Sequence, residues 1–163
     1  MIHFTSNQLA ELVIWRDQLQ QAQDRGYNWG CFLLKYSFTN RGVETFHHCP
    51  LGVYLDGLLD EGTWQGRFQQ KNKKSFLFCL NTEGERPTSD QRLPPSISER
   101  LGLNHVLTLF PKKPCTLESC IMMLNDVKGY QYTQIATEID SLINSGIFTI
   151  PTSNILDIYH YNT

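Results

Sequence analysis

The stretch CFLLKYSFTNRGVETF, residues 31–46, decides the fold of this chain. Its first part, Cys31 to Thr39, is rich in the aromatic and aliphatic residues that favour β-strands. Asn40-Arg41-Gly42 is typical of a tight turn, and Val43 to Phe46 has the composition of a returning strand. The stretch therefore predicts an antiparallel β-hairpin.

A second pair of strands is predicted downstream. Trp64 to Phe68 and Ser75 to Leu80 have strand character, and they flank a basic loop, Lys71 to Lys74. The following segment, Asn81 to Arg92, lacks apolar residues and predicts an exposed loop.

The segment before the first hairpin predicts an amphipathic helix. Thr5 and Gln8 have the spacing of a capping box, and Gly26 ends the pattern. The apolar stripe consists of Leu9, Leu12, Val13, Leu19 and Ala22, with Arg16 as one polar member.

Four later helices are predicted, and one of them is a short helix through Ile97 and Leu101. Pro50 marks the start of one, with Cys49 as its N-cap, because proline is tolerated in the first turn of a helix. Thr116 is the predicted N-cap of another. Tyr132 to Ile143 forms an amphipathic stripe that is closed by Gly146.

Hairpins and helices together predict an α+β fold. Short strands are also expected at His105–Phe110 and Ile147–Ile150. With 163 residues and a mass of 18.8 kDa, the chain fits one domain, residues 1–163. We expect a small antiparallel sheet that is packed on one face by three to four helices.

Composition narrows the function classes. The net charge of −2 and the pI near 6.2 argue against a protein that coats nucleic acid or anionic membranes through its charge. No run approaches the roughly 18 apolar residues of a membrane span, and Met1 to Asn7 lacks the pattern of a signal peptide. Five cysteines without a C-x-x-C pair fit reduced thiols in the cytoplasm, and we expect no cofactor and no metal.

His47-His48-Cys49 is the densest cluster of reactive side chains. A cysteine at a helix N-terminus is favoured as thiolate, and His47, His48 or the distant His105 could act as its base. The alternative is that Cys49 is a small buried cap, because the sequence identifies no third residue that would orient such a pair. Adjacent strand residues point to opposite faces, so only His47 and Cys49 would share a face, which is too few ligands for a metal.

Cys115 and Cys120 form the other close pair of cysteines. They are five residues apart, a spacing that does not place two bridge partners or two metal ligands together on one helix face. The cysteine spacings therefore give little support to a structural zinc site.

Basic and aromatic side chains interleave along the second hairpin and predict contacts with phosphate groups and stacked bases. A solvated hairpin tip explains the same residues. Asn125 and Asp126 could hold a ligand hydroxyl or a cation, or could stabilise a turn. The candidate ligand-binding residues are Trp64, Arg67, Phe68, Lys71, Lys73, Lys74, Asn125 and Asp126.

Three blocks of sequence carry a resemblance. They are Cys49 to Asp56, then Leu93-Pro94-Pro95 with Leu101-Gly102-Leu103, then Leu124-Asn125-Asp126 followed by Tyr132 and Ile135 to Ile139. In this order they resemble a group of small bacteriophage and prophage proteins with the pattern CCLGVLCD … LP … GL … LND … sFxeIAdxIe. The chain departs from that pattern at Pro50, where the group often has a second cysteine.

The resemblance implies a phage-type accessory protein, for host takeover or anti-defence, that acts by binding in the bacterial cytoplasm. It would sequester a small nucleotide-like signal or block a host protein, with no membrane partner and no expected nucleic-acid partner. The alternatives are a hydrolase or transferase that uses Cys49 with a histidine partner, and a structural protein-interaction module. The sequence leaves the oligomeric state open.

Overall fold

The computed structural model describes residues 1–82, 89–107 and 115–147, without the side chain of Phe68. The helices in these ranges are α1 Ser6–Gln21, α2 Pro50–Asp56, α3 Pro95–Arg100, α4 Leu117–Asp126 and α5 Tyr132–Ser145. The strands are β1 Lys35–Asn40, β2 Val43–His48, β3 Gly62–Gln70, β4 Lys73–Leu80, β5 Val106–Leu107 and β6 Cys115–Thr116. This combination, with antiparallel pairing between these strands, confirms the predicted α+β class.

The chain divides into two compact units. The sheet unit is Gln21–Ile97, and the helical unit is Met1–Gln20 with Ser98–Thr163. The one-domain organisation and the covering of one sheet face by three to four helices stay predictions.

The sheet unit contains a four-stranded antiparallel sheet of order β2-β1-β4-β3. The predicted first hairpin is confirmed, and its two-residue turn places Arg41 and Gly42 at φ angles of 51° and 78°. Both angles lie in the left-handed region that tight hairpin turns require. Strand β1 begins at Lys35 and not at Cys31 as predicted. Phe32 has a φ of 66°, which interrupts the extended chain before that point.

The second hairpin joins β3 to β4 through Lys71 and Asn72, and β3 carries a bulge between Gly66 and Phe68. Because side chains alternate along a strand, the register assigns them to two sheet faces. The first face carries Lys35, Ser37, Glu44, Phe46, His48, Trp64, Lys74, Phe76 and Phe78. The second face carries Tyr36, Phe38, His47 and Lys73.

In the helical unit, the predicted capping box of α1 is confirmed. Thr5 N donates to Gln8 Oε1 at 3.0 Å, and Gln8 N donates to Thr5 Oγ1 at 3.1 Å. The predicted stripe was incomplete, because Trp15 is fully buried together with Leu12 and Leu19. This large aromatic ring adds substantial apolar surface to the buried core.

The caps of the later helices also agree with the sequence. Thr116 caps α4 by accepting the N–H of Ser119, and Gly146 ends α5 at a φ of 65°. Of the strand predicted at His105–Phe110, Val106 and Leu107 are described as a strand, and residues 108–110 lie outside the described residues. Most of the strand predicted at 147–150 also lies outside them. Within the described ranges, no helix is both long enough and hydrophobic enough to cross a bilayer.

Candidate ligand-binding cleft

Asp56 is the last residue of α2, and the start of this helix fixes where its carboxylate lies. Cys49 caps α2, its Sγ accepting the N–H of Gly52 at 3.4 Å. A Cβ at residue 52 would overlap the carbonyl oxygen of Leu34, so only glycine lets the helix pack this close to the chain entering β1. A carboxylate at a helix C-terminus faces the negative end of the helix dipole, so other groups must stabilise it.

Two hydrogen-bond donors stabilise the Asp56 carboxylate. Tyr27 Oη donates to Oδ2 at 2.5 Å, and Trp64 Nε1 donates to Oδ1 at 3.0 Å. Burial, followed by the hydrogen bond to Asp56, raises the pKa of Tyr27, so its hydroxyl remains a donor. A carboxylate offers about four acceptor positions, so Asp56 can accept further hydrogen bonds from a ligand.

His48 lies beside this carboxylate at the end of β2. Its Nε2 is 3.8 Å from Asp56 Oδ1, and the side chain is almost fully buried. Burial lowers the pKa of His48 to about 4, an effect that outweighs the attraction of Asp56. The imidazole is therefore neutral at physiological pH, and its contact with Asp56 is not an ion pair.

Lys35 extends over the first face of the sheet. Its Nζ lies 4.9 Å from the ring centre of Phe46, 5.2 Å from that of Trp64 and 5.3 Å from that of Phe76. We call these four residues the Lys35 cluster. Burial lowers the pKa of Lys35, opposed by Asp56 and then Glu44. The aromatic rings already hold a cation from the protein itself, so this face is not shaped for an external ammonium group.

A cleft of about 470 Å³ opens beside these groups. One wall is the segment 25–28, held along β2 because Asn28 Nδ2 donates to the Phe46 carbonyl at 2.9 Å and His48 N donates to the Asn28 carbonyl at 3.0 Å. We call it the Asp56 cleft, and it is lined by Arg25, Gly26, Tyr27, Asn28, Glu44, Thr45, Phe46, His48 and Asp56. Its lining combines the rings of Tyr27, Phe46 and His48 with two carboxylates and a guanidinium.

The second face carries a related group of side chains. Lys73 Nζ lies 4.8 Å from the ring centre of Tyr36 and 5.5 Å from that of Phe38. His47 stacks on Tyr36 with ring centres 5.0 Å apart and planes at 6°. We call these four residues the Lys73 cluster. None of its members lines the Asp56 cleft.

The structure separates the ligand-binding residues predicted on the second hairpin. Trp64 bonds to Asp56, while Lys74 lies on the same face with its Nζ 5.1 Å from the ring centre of Phe76. Lys73 lies on the opposite face. Of the remaining predicted residues, Arg67 has its Nη1 3.8 Å from Asp90 Oδ1, and Lys71 is in the turn. The side chain of Phe68 lies outside the described part.

Asn125 and Asp126, the other predicted ligand-binding residues, belong to the helical unit at the end of α4. Asn125 is fully buried, and its Nδ2 donates to Asp126 Oδ1 at 2.9 Å. They are not among the residues that line the Asp56 cleft.

The residues of the alternative cysteine chemistry are divided between the two units. Cys49 is fully buried and acts as a helix cap, and neighbouring His47 and His48 point to opposite faces of the sheet. His105 belongs to the helical unit, where its Nδ1 is 2.7 Å from the Gly102 carbonyl oxygen. A nucleophile must reach its substrate, so this geometry favours a capping role for the thiol.

Sequence reasoning missed most of the cleft. Of the lining residues, His48 was named, but Arg25, Tyr27, Glu44 and Asp56 were not. Trp64, which was also named, bonds to Asp56. One signal could have identified Asp56, because a carboxylate at the end of a short helix is unfavourable without partners. The pairing of Tyr27 with Asp56 joins residues 29 positions apart and had no local signal.

The comparisons with known proteins identify no relative. No family model, no curated protein and no solved structure matches the chain. Among residues 1–82, 89–107 and 115–147, no three histidine, cysteine, aspartate or glutamate side chains lie close enough together to hold a metal ion.

Proposed function

We propose that this protein acts by binding a small nucleotide-like molecule in the Asp56 cleft. The observation that carries the proposal is the Asp56 carboxylate, which Tyr27 and Trp64 orient beside the half-exposed ring of Phe46. A fixed acceptor next to an accessible aromatic face suits a ligand that both stacks and donates hydrogen bonds.

The size of the cleft supports a ligand of one nucleotide. Its volume of about 470 Å³ falls within the range of about 300–1,000 Å³ typical of small-molecule sites. In this proposal the base stacks on Phe46, whose ring is 39% exposed. Base or sugar N–H and O–H groups donate to Asp56.

The charges in the lining support an anionic group on the same ligand. Arg25 lines the cleft, and its charge reaches the Tyr27 hydroxyl, where it opposes the rise in the pKa of that group. A guanidinium is the side chain best suited to two-point contact with a phosphate. Lys35 adds positive charge behind Phe46.

The biological role rests on the resemblance to phage proteins. In that role the protein would work in the cytoplasm of a bacterial host and withdraw a nucleotide-like signal of host defence. Binding without turnover is sufficient for this role.

Calorimetric titration of the wild type with nucleoside monophosphates, the parent nucleosides and inorganic phosphate tests the proposal. We expect a monophosphate to bind more tightly than its nucleoside or phosphate alone. Phe46→Ala should weaken that binding by about tenfold or more, because stacking on an aromatic ring contributes about 1–3 kcal/mol per base.

Phe38→Ala is the matched control. Phe38 is 38% exposed on the other face of the same hairpin, so its loss should leave binding unchanged. If no monophosphate binds the wild type at millimolar concentration, the proposed function is wrong. If both variants lose binding equally, the ligand is not in the Asp56 cleft.

A further inference from the structure

Two buried thiols of the helical unit lie in contact. Cys120 Sγ donates its S–H to Cys115 Sγ at 3.0 Å, and the side chains are 3% and 6% exposed. As their spacing indicated, the two cysteines do not share a helix face, because Cys115 is in β6 and Cys120 is in α4. The chain turns at Thr116 and brings Cys120, in the first turns of α4, back against it.

The turn between the two cysteines is held by several hydrogen bonds. Thr116 Oγ1 accepts the N–H of Ser119 at 3.2 Å and donates to Ser119 Oγ at 3.0 Å. Leu117 N donates to the His105 carbonyl at 2.8 Å, and Glu118 N donates to the Leu103 carbonyl at 3.0 Å. The backbone thus fixes both sulfurs before any reaction, which lowers the entropy lost when they are joined.

We propose that Cys115 and Cys120 are a reversible oxidation site that forms an intramolecular disulfide. A disulfide has an S–S distance of about 2.0 Å, so the sulfurs must approach by about 1 Å. All five cysteines lie within the described ranges, and none of them is in a disulfide in the structure.

The oxidant in this proposal is hydrogen peroxide. Cys115 attacks one peroxide oxygen, the O–O bond breaks, and the products are a sulfenic acid on Cys115 and water. Cys120 then attacks the sulfenic sulfur, the S–S bond forms, and the sulfenic oxygen leaves as a second water with the thiol proton. Two electrons pass from the two thiols to the peroxide.

The order of attack follows from the hydrogen bond. Cys120 is the donor, and this bond together with burial raises the pKa of its thiol. Cys120 therefore stays protonated, and Cys115 is the thiol that reacts first. Because both side chains are buried, bulky reagents cannot reach them, so a small oxidant is required.

Peptide mapping after exposure of the folded wild type to hydrogen peroxide tests the site. The protein is then denatured, alkylated with iodoacetamide and digested with trypsin. Both cysteines fall on one tryptic peptide, which ends at Lys128. We expect this peptide to lose the mass of two hydrogen atoms and both alkylation sites, and to regain both sites after treatment with a phosphine reductant.

Cys120→Ala and Cys79→Ala are compared in the same experiment. The first should abolish the mass loss and leave residue 115 as a sulfenic acid that dimedone traps, and the second should leave the mass loss unchanged. The proposal is overturned if peroxide oxidises Cys79 in the wild type while iodoacetamide still alkylates both Cys115 and Cys120. A disulfide that joins either residue to another cysteine would also overturn it.

Discussion

The two faces of the sheet carry similar side chains in different surroundings. Each has a lysine over aromatic rings, a histidine from the end of β2, and a phenylalanine exposed to nearly the same extent. On the first face, the Lys35 cluster adjoins a carboxylate, a buried histidine and a cleft. On the second face, the histidine of the Lys73 cluster is stacked on the tyrosine of the same cluster.

The difference comes from α2, which adds Asp56 to the first face. Its carboxylate is bonded by Tyr27 and Trp64, and it lies close to His48. The second face has no carboxylate in contact with its lysine or its histidine among the described contacts. A pattern of aromatic and basic residues is therefore not enough to define a site. The acceptor and the cleft distinguish the first face.

Removal of the carboxylate should have the largest effect. Asp56→Ala leaves the half-buried donors Tyr27 and Trp64 without their acceptor, and we expect the free energy of unfolding to fall by about 4 kcal/mol. Urea denaturation at neutral pH measures the change. Asp60→Ala, which alters an exposed aspartate just beyond α2, is the control and should change stability little. Equal effects of the two substitutions would show that the bonded carboxylate does not stabilise the first face.

The two histidines should differ in how they couple stability to pH. The pKa of His48 is about 4 in the folded state and about 6.5 when unfolded, so the unfolded state binds the proton more readily between these values. The contribution of neutral His48 to the free energy of unfolding is fully present above about pH 6.5 and is lost as the pH falls to about 4. The free energy of unfolding should fall by up to about 3 kcal/mol over this range.

Urea denaturation at intervals across this pH range measures the coupling. His48→Gln should flatten the curve relative to the wild type, because the titrating group has been removed. His47→Gln is the matched control and should keep most of the slope of the wild type, because His47 has the smallest of the effects on the pKa of His48. A wild-type slope retained in His48→Gln would contradict the assignment, since Asp56, Lys35 and His47 are the charged or titratable groups that act on His48.

Local signals predicted the elements of the fold well. The capping box at Thr5 and Gln8, the turn at Arg41-Gly42 and the proline start of α2 each depend on residues a few positions apart, and all three are confirmed. Trp15 was missed because the predicted apolar stripe included Val13 instead. Tertiary packing decides which of these nearby side chains is buried, and Trp15 is the fully buried one.

The cleft could not be predicted in the same way. Its central bonds join Tyr27, Asp56 and Trp64, which come from a loop, a helix end and a strand. The basic residues of the second hairpin were predicted to form one site because they are close in sequence. Side chains alternate along a strand, however, so Lys73 and Lys74 lie on opposite faces of the sheet. Cys115 and Cys120 show the same limit, since a turn outside the helix brings them together.

The two lysines provide the smallest and most direct comparison. Lys35 is half-buried among three rings and is attracted by Asp56 and Glu44, whereas Lys73 is exposed above two rings. Methionine keeps the length of the side chain and removes the charge, so Lys35→Met should lower the free energy of unfolding by about 1 kcal/mol, the scale of a partly desolvated cation–π contact. Lys73→Met should give no measurable change, because solvent screens an exposed cation. Thermal denaturation of the two variants side by side measures the difference. If Lys35→Met is as stable as the wild type, the cost of burying the ammonium cancels its attraction to the rings and carboxylates, and the Lys35 cluster is retained for a reason other than stability.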